Sequence, residues 1–134
     1  MDIKYDQAQS LIEAAMALAQ ERNKGISIAV VDSHGDLVAY GRMVKATIQS
    51  GVLAQAKAYT AAREGIPSSD IAQWAQKTGK DIGYWVDPKI TGMAGGVPIV
   101  VNDQVIGGIG ASGLSEEADE QLVKQALTRC YSHC

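Results

Sequence analysis

The sequence predicts one α+β domain, an antiparallel sheet of about five strands with helices packed on its faces. Three observations carry that prediction. The chain has 134 residues, 46% hydrophobic and 20% charged, a length and balance suited to one domain with one core and not to a disordered chain. At this size folding buries roughly two thirds of the surface the open chain exposes. The segments run helix, two strands, two helices, two or three strands, helix, and adjacent short strands joined by turn residues favour antiparallel pairs covered by helices.

Residues 6–22 place Ala8, Leu11, Ile12, Ala15, Leu18 and Ala19 at helical spacing, ending near Asn23-Lys24-Gly25. Ile26 to Val31 is too short for a helix and rich in β-branched residues, as a buried strand is. Asp32-Ser33-His34-Gly35-Asp36 reads as a turn, and Leu37 to Met43 returns as a second strand. Thr47 to Arg63 is a helix whose expected buried face is Ile48, Val52, Leu53, Ala56 and Tyr59. Its alanines at 54, 56, 58, 61 and 62 also allow close packing on a sheet. Ile66-Pro67-Ser68-Ser69 stops that helix and supplies a cap for a shorter one, Asp70 to Lys77, closed by Gly79. Residues 80–96 read as a loop with at most one short strand. Val97–Val101 and Gln104–Ala111 flank Asn102-Asp103, a two-residue hairpin signal. Ser115 caps a last helix with Glu116 and Glu117 in its first turn, where the helix dipole favours acids. Its expected inner face is Leu122, Val123, Ala126, Leu127 and Cys130.

Composition excludes several classes. The net charge is −3 and no run of Lys or Arg occurs, so there is no electrostatic footprint for nucleic acid and no basic face for a membrane surface. The longest apolar runs fall far short of the roughly 20 residues a spanning helix needs. The N-terminal residues lack the pattern of a signal peptide. Cys130 and Cys134 lie four residues apart and cannot staple the fold, in keeping with a reducing compartment. A cytoplasmic protein is expected.

Gly108-x-Gly110-x-x-Gly113 follows a strand and precedes a helix, as a dinucleotide fingerprint would. No further strand follows, and no acid follows Glu120 to hold a ribose. A nicotinamide cofactor is therefore not expected. The glycines instead let a backbone or a ligand approach the strand closely. Gly92-Met93-Ala94-Gly95-Gly96-Val97-Pro98 is either a turn feeding a strand or a loop whose amides line a pocket. Arg42 and Lys57 are either surface charges with snorkelling stems or anchors for a carboxylate. Lys57 is one residue from the expected core stripe, and a buried lysine must find a partner or lose its proton. His34, beside Asp32 and Asp36, lacks companion metal ligands. Cys130, His133 and Cys134 could offer three ligands to zinc or a soft metal, but their spacing matches no common structural site. Ser112 lies in a GASG and not a GxSxG context, and only His34 and His133 could serve it as base.

With these segments laid out, the chain resembles the GlcG/HbpS family, which includes the C-terminal domain of PduO-type corrinoid adenosyltransferases. The landmarks are Ala29-Val30-Val31-Asp32-x-x-Gly35, Arg42-Met43, Ala54-x-x-Lys57-Ala58-x-Thr60-Ala61, Gly95-Gly96-x-Pro98, and Ile106 to Gly113 with Asp119 after it. The resemblance implies an α+β domain assembled into symmetric homo-oligomers. It also implies a small ligand, with heme or another tetrapyrrole the best supported class. The family commonly has an acid after Arg-Met, where this chain has Val44. Relatives proposed to ligate heme from the first helix carry a histidine there, whereas this chain has none before His34. His34, Met43 or Tyr84 could substitute where the fold aims them at the pocket.

The expected ligand site comprises Arg42, Met43, Lys57, Gly95, Gly96, Ser112 and Gly113. Arg42 and Lys57 would hold a carboxylate or propionate, glycine amides would bond it, and apolar walls would bury the remainder. Two readings stay open beside this one. One is an enzyme acting on a small organic acid in glycolate- or diol-type metabolism, with Lys57 as base or carbonyl partner. The other is a structural accessory subunit.

Overall fold

Ser27–Asp32 forms β1, whose first five residues are all buried. A run of Ile, Ala and Val with no polar alternation suits a strand covered on both faces. The chain enters it from α1, Tyr5–Glu21, whose buried Ala8, Leu11, Ile12, Ala15, Leu18 and Ala19 form the expected stripe. β2, Leu37–Arg42, returns antiparallel to β1. The Asp32 carboxylate closes the turn between them, accepting hydrogen bonds from the amides of His34 and Asp36 at 2.9 and 3.0 Å. Then follow α2, Ile48–Glu64, and α3, Ser69–Thr78. β3, Gly96–Val101, and β4, Gln104–Ser112, precede α4, Glu116–Tyr131. This computed structural model describes residues 1–131.

The sheet order is β2-β1-β4-β3, antiparallel throughout. One face carries Ile28, Val30, Val97, Ile99, Ile106 and Ile109, packed against α1 and α4 in the main core. The other carries Ala29 and Val31, packed against Ala54, Ala58 and Ala62 of α2. Three layers result, with the sheet in the middle. Asn102 and Asp103 both take positive φ, 51° and 63°, as a tight two-residue hairpin requires.

The sheet has four strands instead of about five. Residues 80–95 contribute no strand; they form a single 3-10 turn at Ile82–Trp85 and irregular chain. Trp85 packs edge-on against Trp74 of α3, centroids 5.4 Å apart, so this segment folds onto a helix and not onto the sheet edge. Ser68 does not cap α3 with its side chain. Its Oγ donates to the Met93 carbonyl at 2.7 Å and accepts the Gly96 amide at 3.0 Å, pinning the loop that leads into β3. Ser115 does cap α4, accepting the Ala118 amide at 3.2 Å.

The expected buried face of α2 is rotated. Its buried residues are Ser50, Gly51, Ala54, Lys57, Ala58, Thr60, Ala61 and Ala62, while Ile48 and Val52 are 84% and 60% exposed. The reason lies in β3 and β4. A Cβ built on Gly96, Gly108 or Gly110 would lie 2.2–2.4 Å from the carbonyl oxygens of Lys57, Ala58 and Ala54 respectively. The helix backbone rests on a glycine strip, so only its smallest side chains face inward.

Candidate functional site

Lys57 projects from the middle of α2 into this tight seam and is completely buried. Its Nζ donates to the Ala111 carbonyl at 3.0 Å and to Asp119 Oδ2 at 3.1 Å. Asp119, in the first turn of α4, accepts the Leu114 amide at 3.0 Å on its other oxygen. Burial pushes the Asp119 carboxyl above the ordinary carboxylate value, against the opposing pull of the Lys57 ammonium and the Leu114 amide. Gly95, at φ 132°, passes so close that a Cβ there would lie 2.9 Å from Lys57 Nζ.

The structure therefore brings together Lys57, Gly95 and Gly96, with Ala111 bonded to the lysine and Ser112 next in the chain. It packs them into a closed corner whose cation already has an anion. Asp119 completes that corner. Among the residues quoted from the sequence, it was a landmark without a role.

Arg42 ends β2 opposite Ser27 on the sheet edge, its guanidinium reaching the Ala46 carbonyl at 3.5 Å. Met43 packs against the main core instead, on the α1 side, and continues the ladder by donating its amide to the Ile26 carbonyl. There it lines a solvent-open cleft of about 380 Å³ with Met16, Gln20, Asn23, Lys24, Val44 and Lys45. Gly113 lines a neighbouring concavity with Arg22, Lys24, Leu114, Ser115 and Ala118. Lys24 belongs to both.

A further cleft of about 380 Å³ lies beyond α2, walled by Val31, Leu37, Val52, Ala56 and Pro88. Tyr59 lines it and donates its hydroxyl to Asp87 at 2.5 Å. That carboxylate pushes the Tyr59 phenol up.

His34 is exposed in the β1–β2 turn, and Tyr84 is 66% exposed on the 3-10 turn. No group of three His, Cys, Asp or Glu side chains is arranged to hold a metal among the described residues. Cys130 packs at the margin of the main core. His133 and Cys134 lie outside the described residues. No helix among the described residues is long and apolar enough to cross a membrane.

The model of the family described as "Haem degrading protein HbpS-like" matches residues 3–128. The chain belongs to the HbpS-like family. It is 34% identical over 110 residues to Protein GlcG of Escherichia coli K12, covering 82% of this chain and 81% of that protein. A double mutant of Streptomyces reticuli HbpS superposes with a TM-score of 0.88 at 27% identity, covering 96% of this chain and 87% of the other. A PduOC:heme complex superposes with a TM-score of 0.87 at 26% identity, covering 96% and 94%. The four-stranded sheet with helices on both faces is thus an HbpS-like fold.

Proposed function

We propose that this HbpS-like chain is a cytoplasmic, homo-oligomeric binding protein for heme or a related tetrapyrrole, held in the cleft lined by Met43. The observation that carries this reading is the composition of that cleft. Met16, Met43 and Val44 give it apolar, polarisable walls, and the ammonium groups of Lys24 and Lys45 stand among them. A flat apolar macrocycle with anionic carboxylates needs both. Among the lining groups of the cleft the polarisable donors are the thioethers of Met16 and Met43, a ligand type that iron in heme accepts. Bound heme would supply a redox-active, Lewis-acidic iron. The chain's own residues would hold the ring and pair its carboxylates.

The heme-bound PduOC relative supports the ligand class. In this reading Lys24 and Lys45 take the carboxylates, while Arg42, one residue before Met43 on the opposite face of the strand, stays outside the cleft. Lys57, Gly95, Gly96 and Ser112 act indirectly, fixing the seam between α2 and β4, and Gly113 shapes the adjoining concavity. Leu37, Val44, Ile48 and Val52 are all at least half exposed, and a second copy of the chain would cover them. Two cysteines placed where they cannot staple the fold accord with a cytoplasmic setting.

Titration of the purified protein with hemin, read at the Soret band, tests the proposal. The expected result is a saturable shift at one hemin per chain. Lys24→Ala and Lys45→Ala should each weaken binding by up to about fivefold, since an exposed ion pair contributes at most ~1 kcal/mol. A non-saturating shift, equal in all three proteins, would move the ligand to a small carboxylate.

A further inference from the structure

Residues 86–91 arch over the outer side of α2 between two anchors. Before them, Trp85 packs on Trp74 of α3. After them, Ser68 Oγ donates to the Met93 carbonyl, and the Ala94 amide donates to Glu116 Oε1 at 2.9 Å. Between the anchors the arch is fastened to α2 by side chains. Tyr59 donates its hydroxyl to Asp87, and Thr60 Oγ1 accepts the Thr91 amide at 3.0 Å. Thr60 is completely buried beneath it. Pro88 and Lys89 of the arch form one wall of the cleft whose other walls are α2 and the β1–β2 hairpin.

The arch begins with a strained residue. Val86 has φ 58°, in the left-handed region that a β-branched side chain rarely adopts. Its side chain is 88% exposed, so burial does not offset the strain. Such strain persists where neighbouring contacts fix it, and it clusters at clamps and switches. The contacts that fix it here are the Trp85 stack on one side and the Asp87 hydrogen bond on the other. Along the arch itself, Ile90 is the one buried residue. Few buried apolar groups and a strained end are the marks of a segment that opens locally, ahead of the rest of the fold.

We propose that residues 86–91 are a lid on the α2-side cleft, hinged at Val86 and latched shut by the Tyr59–Asp87 hydrogen bond. Lifting the lid withdraws Pro88 and Lys89 from the cleft, frees the Tyr59 phenol of its acceptor and uncovers the Thr60 hydroxyl. The cleft then widens toward two hydroxyl groups, each able to donate and to accept. It lies on the opposite side of the sheet from the cleft lined by Met43, and the lid is independent of the heme reading.

Amide hydrogen exchange tests this, with the Thr91 amide as reporter because its acceptor belongs to α2. The comparison is wild type, Tyr59→Phe, Asp87→Asn and Val86→Asn. Tyr59→Phe keeps the ring that Arg63 and Lys89 lie against but removes the latch. Exchange at Thr91 should then quicken about tenfold or more, since the lost hydrogen bond has a charged acceptor. Asp87→Asn should quicken it less, because a neutral acceptor holds the phenol more weakly. Asparagine tolerates a positive φ, so Val86→Asn should slow the exchange. The chain's two tryptophans, Trp74 and Trp85, stay seated when the lid lifts, so their emission should match in all four proteins. Equal exchange at Thr91 in wild type and Tyr59→Phe would overturn the latch. A shifted tryptophan emission, or no slowing in Val86→Asn, would overturn the hinge. Faster exchange spread through the sheet would show that the arch opens with the whole fold, and would overturn the lid.

Discussion

Lys57 and Asp119 meet with about 1–2% of each side chain exposed, where an unpaired charge is far more costly than at the surface. Lys57→Met should lower stability by about 3–5 kcal/mol at neutral pH, measured by denaturant unfolding. Lys57→Met/Asp119→Leu should recover much of that loss, because no buried charge is then left alone. Equal losses in the single and double variants would mean that packing, not charge, dominates the seam. The pH dependence has a definite sign. A carboxyl whose folded pKa is raised takes up a proton more readily in the folded chain than in the unfolded one, so acidification through that range favours the fold. The defect of Lys57→Met should therefore shrink as pH falls from neutrality toward the ordinary carboxylate value. The sequence placed Lys57 beside a core stripe and raised its need for a partner. It could not name Asp119, because the two stand 62 positions apart and meet only when α2 and α4 both dock on the end of β4. Met16 was missed for a similar reason. A methionine at helical spacing resembles any core residue until Gly41 is brought beneath it.

The helices and strands themselves were largely legible, because α1, β1 and the Asn102-Asp103 hairpin each follow from local pattern and turn chemistry. The orientation of α2 was not. Its larger apolar residues, Ile48, Val52 and Tyr59, outweigh its alanines in any periodicity argument, yet the alanines face inward. What decides the matter is the partner surface, where Gly96, Gly108 and Gly110 admit the helix backbone and nothing larger. Gly110→Ala should consequently destabilise the protein by about 1–3 kcal/mol, since the added carbon meets the Ala54 carbonyl and the Ala58 amide, neither of which can swing aside. Thermal unfolding would register it. An unchanged melting temperature would mean that α2 slides outward at little cost.

For the whole molecule, sheet order and strand number lay beyond local pattern. Which hairpin flanks which depends on how β1 and β4 pair between positions 75 to 85 apart in the chain, from Asp32 opposite Gly107 to Ser27 opposite Ser112. Assembly is the property to test at this scale. If the proposed assembly uses this exposed face, Ile48→Glu/Val52→Glu should reduce the particle mass seen by light scattering, because charges placed on an apolar contact face oppose association. A wild-type mass equal to one chain would remove the oligomer altogether.

The rotation of α2 has one more consequence. Its inner surface is committed to the glycine strip, where a single added carbon is felt. Its outer surface meets the chain near Asp87 through Tyr59 and carries the bulkier, exposed side chains of Ile48 and Val52. One helix thus keeps two independent sets of residues, one for the architecture and one facing the surroundings. Changes at positions 48 and 52 can redirect what the molecule associates with while the layers beneath stay as they are.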